Sequence, residues 1–335
     1  KPFAVMCRTT ATAGRLCRGT PEEARALESY RKPIVLLEKL VPFSFMHLSE
    51  NGYIGVMLPY TPLHVLLMGE DIDCLVMTSA NISETPIVSS NTEALRALSG
   101  IADGFLLHDR EIVTKCDDSL IRIYNGREYP LRRSRGYVPY PVAVPVAHTL
   151  LACGAEQKAS FCLSKPGHAF PSQHMGDLKN AETLENWERQ IERFSELFDA
   201  RPQAIACDMH PDYLSTGYAE ERAGRDGIPL LRVQHHHAHM ASCMADNGLD
   251  GQCLGLVWDG TGMGTDGRIW GAEVLSGGYG GFERAGSMRP IALPGGDAAI
   301  DGIWRAGTAT LLDAGLDASR FSCEPGYDTI VKMLE

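Results

Sequence analysis

Several common sequence signals are missing from this 335-residue chain, and each absence argues against a kind of site or binding partner. Its ten cysteines include no C-x-x-C pair, which excludes a zinc ribbon or a thioredoxin-type redox site and favours a reducing cytoplasm. No apolar run approaches the roughly 20 residues that span a bilayer, so no membrane partner is expected. The net charge of -11 argues against a general nucleic-acid-binding surface, although it is compatible with a local basic groove. A Walker A loop, G-x-x-x-x-G-K-[ST], is absent.

What is present predicts an α/β protein of more than one domain, because helix and strand patterns alternate along a chain too long for one core. A helix capped by Thr20 and Glu23 is predicted for "GTPEEARALESY", and a strand for "GFLLHDR" at residues 104–110. Prolines concentrate in residues 136–148, which we interpret as a linker. The expected domains are residues 1–135 and 149–335.

Four histidines occupy five positions in "VQHHHAHMASC". A strand should end near Gln234 and a helix should follow, which places His235 and His239 one turn apart on the same helix face. Such a pair can bind one metal ion, although a histidine-rich surface explains the spacing equally well. Asp259, at the end of the next apolar strand, offers a carboxylate that would complete a metal site. This donor set accepts iron(II), zinc or magnesium without distinguishing among them.

Glycines cluster in two predicted hairpins. Gly260, Gly262 and Gly264 follow the aspartate in "DGTGMG", and Gly154 lies near Lys158 in "CGAEQKASF". Glycine allows backbone N–H groups to approach phosphate oxygens closely, although an ordinary hairpin also needs glycine in its turn. Two such hairpins with a metal-spaced histidine pair between them favour phosphate binding.

Polar side chains follow a predicted strand in "MTSANIS". Open α/β sheets bind ligands at this end of a strand, and Ser79 and Asn81 offer hydroxyl and amide groups for a phosphate or acyl oxygen. A turn-forming cluster is the alternative. Further along, "RRSRGYVP" contains Arg132, Arg133 and Arg135, which either clamp an anion or are simply exposed.

The chain resembles the hydrogenase maturation carbamoyltransferase family HypF over essentially all of its length. The motifs that carry the resemblance, in this order, are "PFAVM", "TSAN", "HDR", "DDS", "RRSRGYVP", "GAEQK", "SQHMGDL", "DMHPDY", "VQHHHAH", "DGTGMG" and "LPGGDAA". The resemblance implies a YrdC/Sua5-like α/β domain. It also implies a TsaD-like carbamoyltransferase domain of the actin–hexokinase (RNase H-like) superfamily, present incompletely, so we expect a fragment that is truncated at both ends and inactive alone.

The resemblance also implies a reaction. The family uses ATP and carbamoyl phosphate to form a carbamoyl-adenylate, and passes the carbamoyl group to the C-terminal cysteine of its partner HypE. By this resemblance Ser79 and Asn81 would hold the adenylate, with Lys1, Arg110 and Arg135 as weaker anion contacts.

The remaining positions follow from the same resemblance. The metal ligands and catalytic residues would be His235, His239 and Asp259. The nucleotide phosphates would lie against the glycine-rich hairpins, at Gly154, Lys158, Gly260, Gly262 and Gly264.

Other functions remain open. A carbamoyltransferase acting on a small-molecule hydroxyl would carry the same two modules, but in the reverse order according to the resemblance. Threonylcarbamoylation of tRNA is disfavoured by the acidic charge and by the "HHHAH" form of the histidine segment. A non-catalytic module that binds nucleotide or a partner is the non-enzymatic alternative.

Overall fold

The computed structural model describes residues 3–41, 48–82, 85–296 and 298–334. Helices and strands alternate along these residues, which confirms the predicted α/β class. Among the helices of these stretches, none is both long enough and apolar enough to cross a bilayer.

The chain forms two compact units. The larger consists of Lys1–Val233 with Ala245–Leu249, and the smaller of Gln234–Met244 with Asp250–Glu335. The chain therefore passes from one compact unit to the other within residues 233–250. The domain boundary expected at residues 136–148 stays a prediction.

The first part of the larger unit contains a mixed sheet, seven-stranded over the described residues. Its strands are β1 (Ala4–Cys7), β2 (Cys17–Arg18), β3 (Ile34–Lys39), β4 (Tyr53–Met57), β5 (Cys74–Met77), β6 (Leu120–Tyr124) and β7 (Arg127–Arg132). The strand order is β5-β1-β4-β3-β6-β7, with β2 beside β3. The helices of this part are α1 (Thr10–Ala13), α2 (Pro21–Glu28), α3 (Pro62–Met68) and α4 (Asn91–Leu98).

Local sequence correctly predicts the start of α2 and wrongly predicts one strand. The α2 capping box is present as predicted: the Thr20 hydroxyl accepts a hydrogen bond from Glu23 N, and the Glu23 carboxylate accepts one from Thr20 N. Residues 104–110, all of them described, were predicted as a strand, and this prediction is wrong. Leu106 and Leu107 are exposed there, so the apolar run has no sheet neighbour against which to pack.

A second sheet follows in the larger unit. Its elements are β8 (Val142–Ala143), β9 (Leu150–Ala152), β10 (Cys162–Lys165), β11 (His168–Pro171), α5 (Ala181–Leu197), β12 (Ala204–Asp208), α6 (Leu214–Asp226) and β13 (Leu230–Val233). The strand order is β13-β12-β9-β10-β11-β8, and β9, β12 and β13 run parallel. Trp187, Ile191 and Phe194 of α5 are buried around Phe161, which matches the apolar stripe of this helix.

The smaller unit contains most of α7 (His235–Asp246) and a nested hairpin. The later elements are β14 (Cys253–Val257), β15 (Gly262–Met263), β16 (Ile269–Trp270), β17 (Glu273–Gly278), β18 (Gly281–Ser287), α8 (Ala298–Asp301), α9 (Ile303–Asp313) and α10 (Tyr327–Leu334). Strands β14 and β17 pair antiparallel, and the chain between them forms the β15–β16 ribbon. Helix α7 packs on this sheet through Met240 and Met244, which bury Val257 and Leu275. The packing places the start of α7 beside the end of β14.

Candidate functional site

The first candidate site combines the start of α7 with the residue that follows β14 by two positions. His235 Nε2 lies 3.0 Å from Asp259 Oδ2, and His239 Nε2 lies 3.8 Å from the same oxygen. The two imidazole nitrogens are 3.3 Å apart. The structure therefore brings together the three residues that were predicted to bind a metal.

The spacing of these atoms fits a metal ion. Ligand atoms about 2.0–2.1 Å from a tetrahedral ion lie roughly 3.3 Å from one another, and the three observed separations scatter around that value. Asp259 Oδ2 is buried and has no hydrogen bond of acceptable geometry within the described part of the chain. A buried carboxylate oxygen without a well-formed hydrogen bond is costly, and a cation would relieve that cost. The exposed His239 ring leaves one side of the site accessible.

The other two histidines of the run make structural contacts. His237 Nε2 lies 2.8 Å from the Gly278 carbonyl oxygen. Gln234 Nε2 lies 3.0 Å from Nδ1 of the buried His236 and donates to the Met263 carbonyl. Burial lowers the pKa of His236, so its ring is neutral at pH 7 and its Nδ1 can accept from the Gln234 amide. This chain of contacts fixes the β15–β16 ribbon against the start of α7.

The glycines after Asp259 have different surroundings. A Cβ on Gly262 would lie 2.7 Å from His236 Cε1, and a Cβ on Gly264 would lie 2.2 Å from Trp270 Nε1. A Cβ on Gly260 would meet no described atom within 4 Å, and its N–H donates to Asp259 Oδ1 at 3.0 Å. Close packing thus explains two of the three glycines, and the phosphate role of all three stays a prediction.

The second candidate site is a cavity of about 340 Å³ in the larger unit. Ser79, Asn81 and Lys158 all line it, so three residues that were predicted to bind the nucleotide lie together. The Ser79 hydroxyl donates to Asn81 Oδ1 at 2.5 Å, and the Asn81 amide donates to the carbonyls of Ile82 and Thr85. These residues therefore build a turn and also face the cavity.

Lysine and arginine side chains line this cavity together with His174, Asp117 and Asp177. Lys115 and Arg132 come from the first sheet region, and Lys158 and His174 come from the second. A pocket with several convergent cations suits an anionic ligand. Lys158 has φ 49°, a left-handed conformation that costs energy for a non-glycine residue and is concentrated at functional sites.

Sequence reasoning did not assign Lys115 or His174 to the site. Both lie in irregular segments, where no periodicity marks a residue as facing a ligand. The "SQHMGDL" motif was the only signal that included His174, and the resemblance assigned no function to its residues.

The other predicted residues are distributed as follows. Gly154 has φ 71° in a tight turn, where a Cβ would lie 2.6 Å from the Ser160 carbonyl oxygen. Arg110 is exposed on the surface and does not line the cavity. Lys1 lies outside the described residues.

Arg135 has a structural environment. Its guanidinium donates twice to Asp118 Oδ1, at 2.9 and 2.8 Å, and also to the carbonyls of Arg31 and Lys32. It lies 3.5 Å from the centroid of the Tyr60 ring. These contacts hold the end of the first sheet region together and give no support to an anion clamp at Arg135. Arg132 of the same motif is the residue that lines the cavity.

Family models match three consecutive parts of the chain. The Sua5/YciO/YrdC model, described as telomere recombination, matches residues 1–134. The HypF Kae1-like domain matches residues 145–246. The second subdomain of the carbamoyltransferase Kae1-like domain matches residues 255–334.

Individual relatives agree with these models. The carbamoyltransferase HypF2 of Cupriavidus necator is 41% identical over 100% of this chain and 44% of its own length. The carbamoyltransferase HypF of Rhodobacter capsulatus is 42% identical over 94% of this chain and 43% of its own. The chain thus spans less than half the length of these curated relatives.

Solved structures give the same result. A full-length HypF in a phosphate- and nucleotide-bound form has a TM-score of 0.90 at 42% identity, covering 100% of this chain and 45% of its own. The T. kodakarensis HypF structure has a TM-score of 0.84 at 41% identity, covering 90% of this chain and 40% of its own.

Proposed function

The chain belongs to the HypF carbamoyltransferase family, and from that membership we propose that it activates a carbamoyl group with ATP and transfers it to a protein thiol. Carbamoyl phosphate supplies the group, and the acceptor is the C-terminal cysteine of HypE, where the carbamoyl group becomes the source of the iron-bound cyanide of nickel–iron hydrogenases. The observation that carries the proposal is the convergence of Ser79, Asn81 and Lys158 on one cation-rich cavity.

The first step assigned to this cavity is adenylate formation. Carbamoyl phosphate gives up phosphate to water, and an oxygen of the resulting carbamate attacks the α-phosphorus of ATP. A new P–O bond forms as pyrophosphate leaves. Lys115, Arg132 and Lys158 are suited to stabilise the negative charge on the phosphate oxygens, and Ser79 and Asn81 to orient the reacting groups.

The second step is transfer. The acceptor thiolate attacks the carbamoyl carbon, a C–S bond forms and the C–O bond to AMP breaks. AMP leaves readily because it is a far better leaving group than the hydroxide that a free carbamate would have to expel. His235, His239 and Asp259 would hold a divalent ion, iron(II), zinc or magnesium. Such an ion, when bound, supplies Lewis-acid polarisation of a carbonyl or phosphoryl oxygen. The Gly260 N–H contributes by fixing one oxygen of Asp259, which leaves the other directed at the histidines.

Exchange of labelled pyrophosphate into ATP, dependent on carbamoyl phosphate, tests the adenylate step in the full-length protein. Ser79→Ala should reduce this exchange by about 100-fold, the scale for losing one positioned donor in an active site. Ser99→Ala is the matched control, because Ser99 is exposed and does not line the cavity. Normal exchange in Ser79→Ala would count against an adenylate site at this position.

A further inference from the structure

We propose that His174 contacts the ligand in the cavity beside Ser79 and Asn81, and that Asp117 is the residue that positions the His174 ring. The inference rests on the proposed adenylate-forming function and adds a second ligand contact from the second sheet region, beside Lys158, to a site that both sheet regions line. The ligand group it recognises is a phosphate oxygen, from ATP or from the departing pyrophosphate.

The backbone around His174 is held from two sides. His174 N donates to the Arg133 carbonyl at 3.2 Å, and Gln173 Nε2 reaches the Lys115 carbonyl at 3.5 Å. On the other side Ala159 N donates to the Gly176 carbonyl at 2.7 Å. The segment that carries His174 is therefore tied to both regions that supply the cavity's cations, and its position in the cavity is well defined.

A carboxylate lies close to the ring of His174. His174 Nδ1 lies 3.8 Å from Asp117 Oδ2, and Arg132 Nη1 lies 3.9 Å from the same oxygen. His174 Nδ1 is buried and has no hydrogen-bond partner among the residues that the structure describes. A shift of less than 1 Å would let Nδ1–H donate to Asp117, which leaves Nε2 as the nitrogen available to a ligand.

This arrangement gives a role to Asp117, one of two aspartates that line the pocket beside its cations. Asp117 faces both Arg132 and His174, and can hold the two donors in fixed orientations. Oriented donors cost less reorganisation when charge develops on a phosphate oxygen than mobile donors do. His174 acts through a hydrogen bond, so no proton transfer is required of it.

The test measures kcat and KM for ATP in the carbamoyl-phosphate-dependent pyrophosphate exchange of the full-length protein. His174→Ala should lower kcat/KM by about 100-fold, and His174→Gln should recover activity to within about tenfold of native, because the glutamine amide can still donate an N–H. Asp117→Asn should lose about tenfold. His168→Ala is the matched control, since His168 is exposed on β11 and does not line the cavity.

Thermal unfolding of each variant separates contact from folding. A value of kcat/KM for His174→Ala within threefold of native overturns the proposal. It is equally overturned if His174→Gln is no better than His174→Ala and both lose thermal stability. Ser79→Ala, run in parallel, separates the two hypotheses: if it loses exchange while His174→Ala does not, only the role of His174 fails. If Ser79→Ala keeps exchange, the adenylate site itself fails.

Discussion

The packing around Gly262 gives a sharp prediction about the candidate metal site. A Cβ at this position would lie 2.7 Å from His236 Cε1, 2.8 Å from His235 Cβ and 3.0 Å from His236 Nδ1. Carbon atoms pack at about 3.5–4.0 Å, so the ribbon and the start of α7 would have to separate by roughly 0.7–1 Å in a Gly262→Ala variant. His235 and His236 both lie at the start of α7, and neither offers the end of a flexible side chain that could move aside.

Such overpacking costs about 1–3 kcal/mol of unfolding free energy. The same displacement moves His235 away from Asp259. His235 Nε2 now lies 3.0 Å from Asp259 Oδ2, and metal affinity should fall as this distance grows. Gly260→Ala is the matched control, because its Cβ would meet no described atom within 4 Å and its φ is not positive.

Two measurements on the full-length protein check this prediction: urea unfolding followed by fluorescence, and elemental analysis of the purified variants. Gly262→Ala should lose stability and metal together, and Gly260→Ala should keep its stability to within about 0.5 kcal/mol. A Gly262→Ala variant as stable as the control, with undiminished metal content, would refute the packing explanation.

Two further predictions concern single side chains. His239→Ala should abolish metal binding and carbamoyl transfer. It should lose little thermal stability, because His239 is exposed. His148 is also exposed, and the control His148→Ala should keep its metal; a His239→Ala protein with full metal content would refute the role of His239 as a ligand. Burial, and then the nearby Glu221 and Glu185, raise the pKa of Glu188 in α5. The folded state therefore favours the protonated acid, and the carboxylate costs stability as pH rises through the raised pKa. Glu188→Gln should be more stable than native at pH 7 by roughly 0.5 kcal/mol, and the difference should vanish below about pH 4, the unfolded value. Unfolding curves that differ equally at both pH values would contradict this reasoning.

The sequence by itself determined those features that depend on contacts between residues one or two helical turns apart. The four-residue spacing of His235 and His239 places both rings on one helix face, and the Thr20–Glu23 box starts α2. The α/β class follows from the same local periodicities, summed along the chain. Each of these features is encoded by side chains that contact one another whatever the rest of the fold does.

The tertiary structure decided which distant segments meet. Asp259 reaches the histidines because α7 packs on β14 through Met240 and Met244. His174 reaches the cavity because its segment hydrogen-bonds to residues more than 40 positions earlier in the chain. Sheet pairing and burial determine such contacts, and neither is visible in a short window of sequence. The same cause explains the wrong strand prediction at residues 104–110, where the apolar run has no strand to pair with. It also explains why Arg132 lines the cavity while Arg135, from the same motif, binds Asp118.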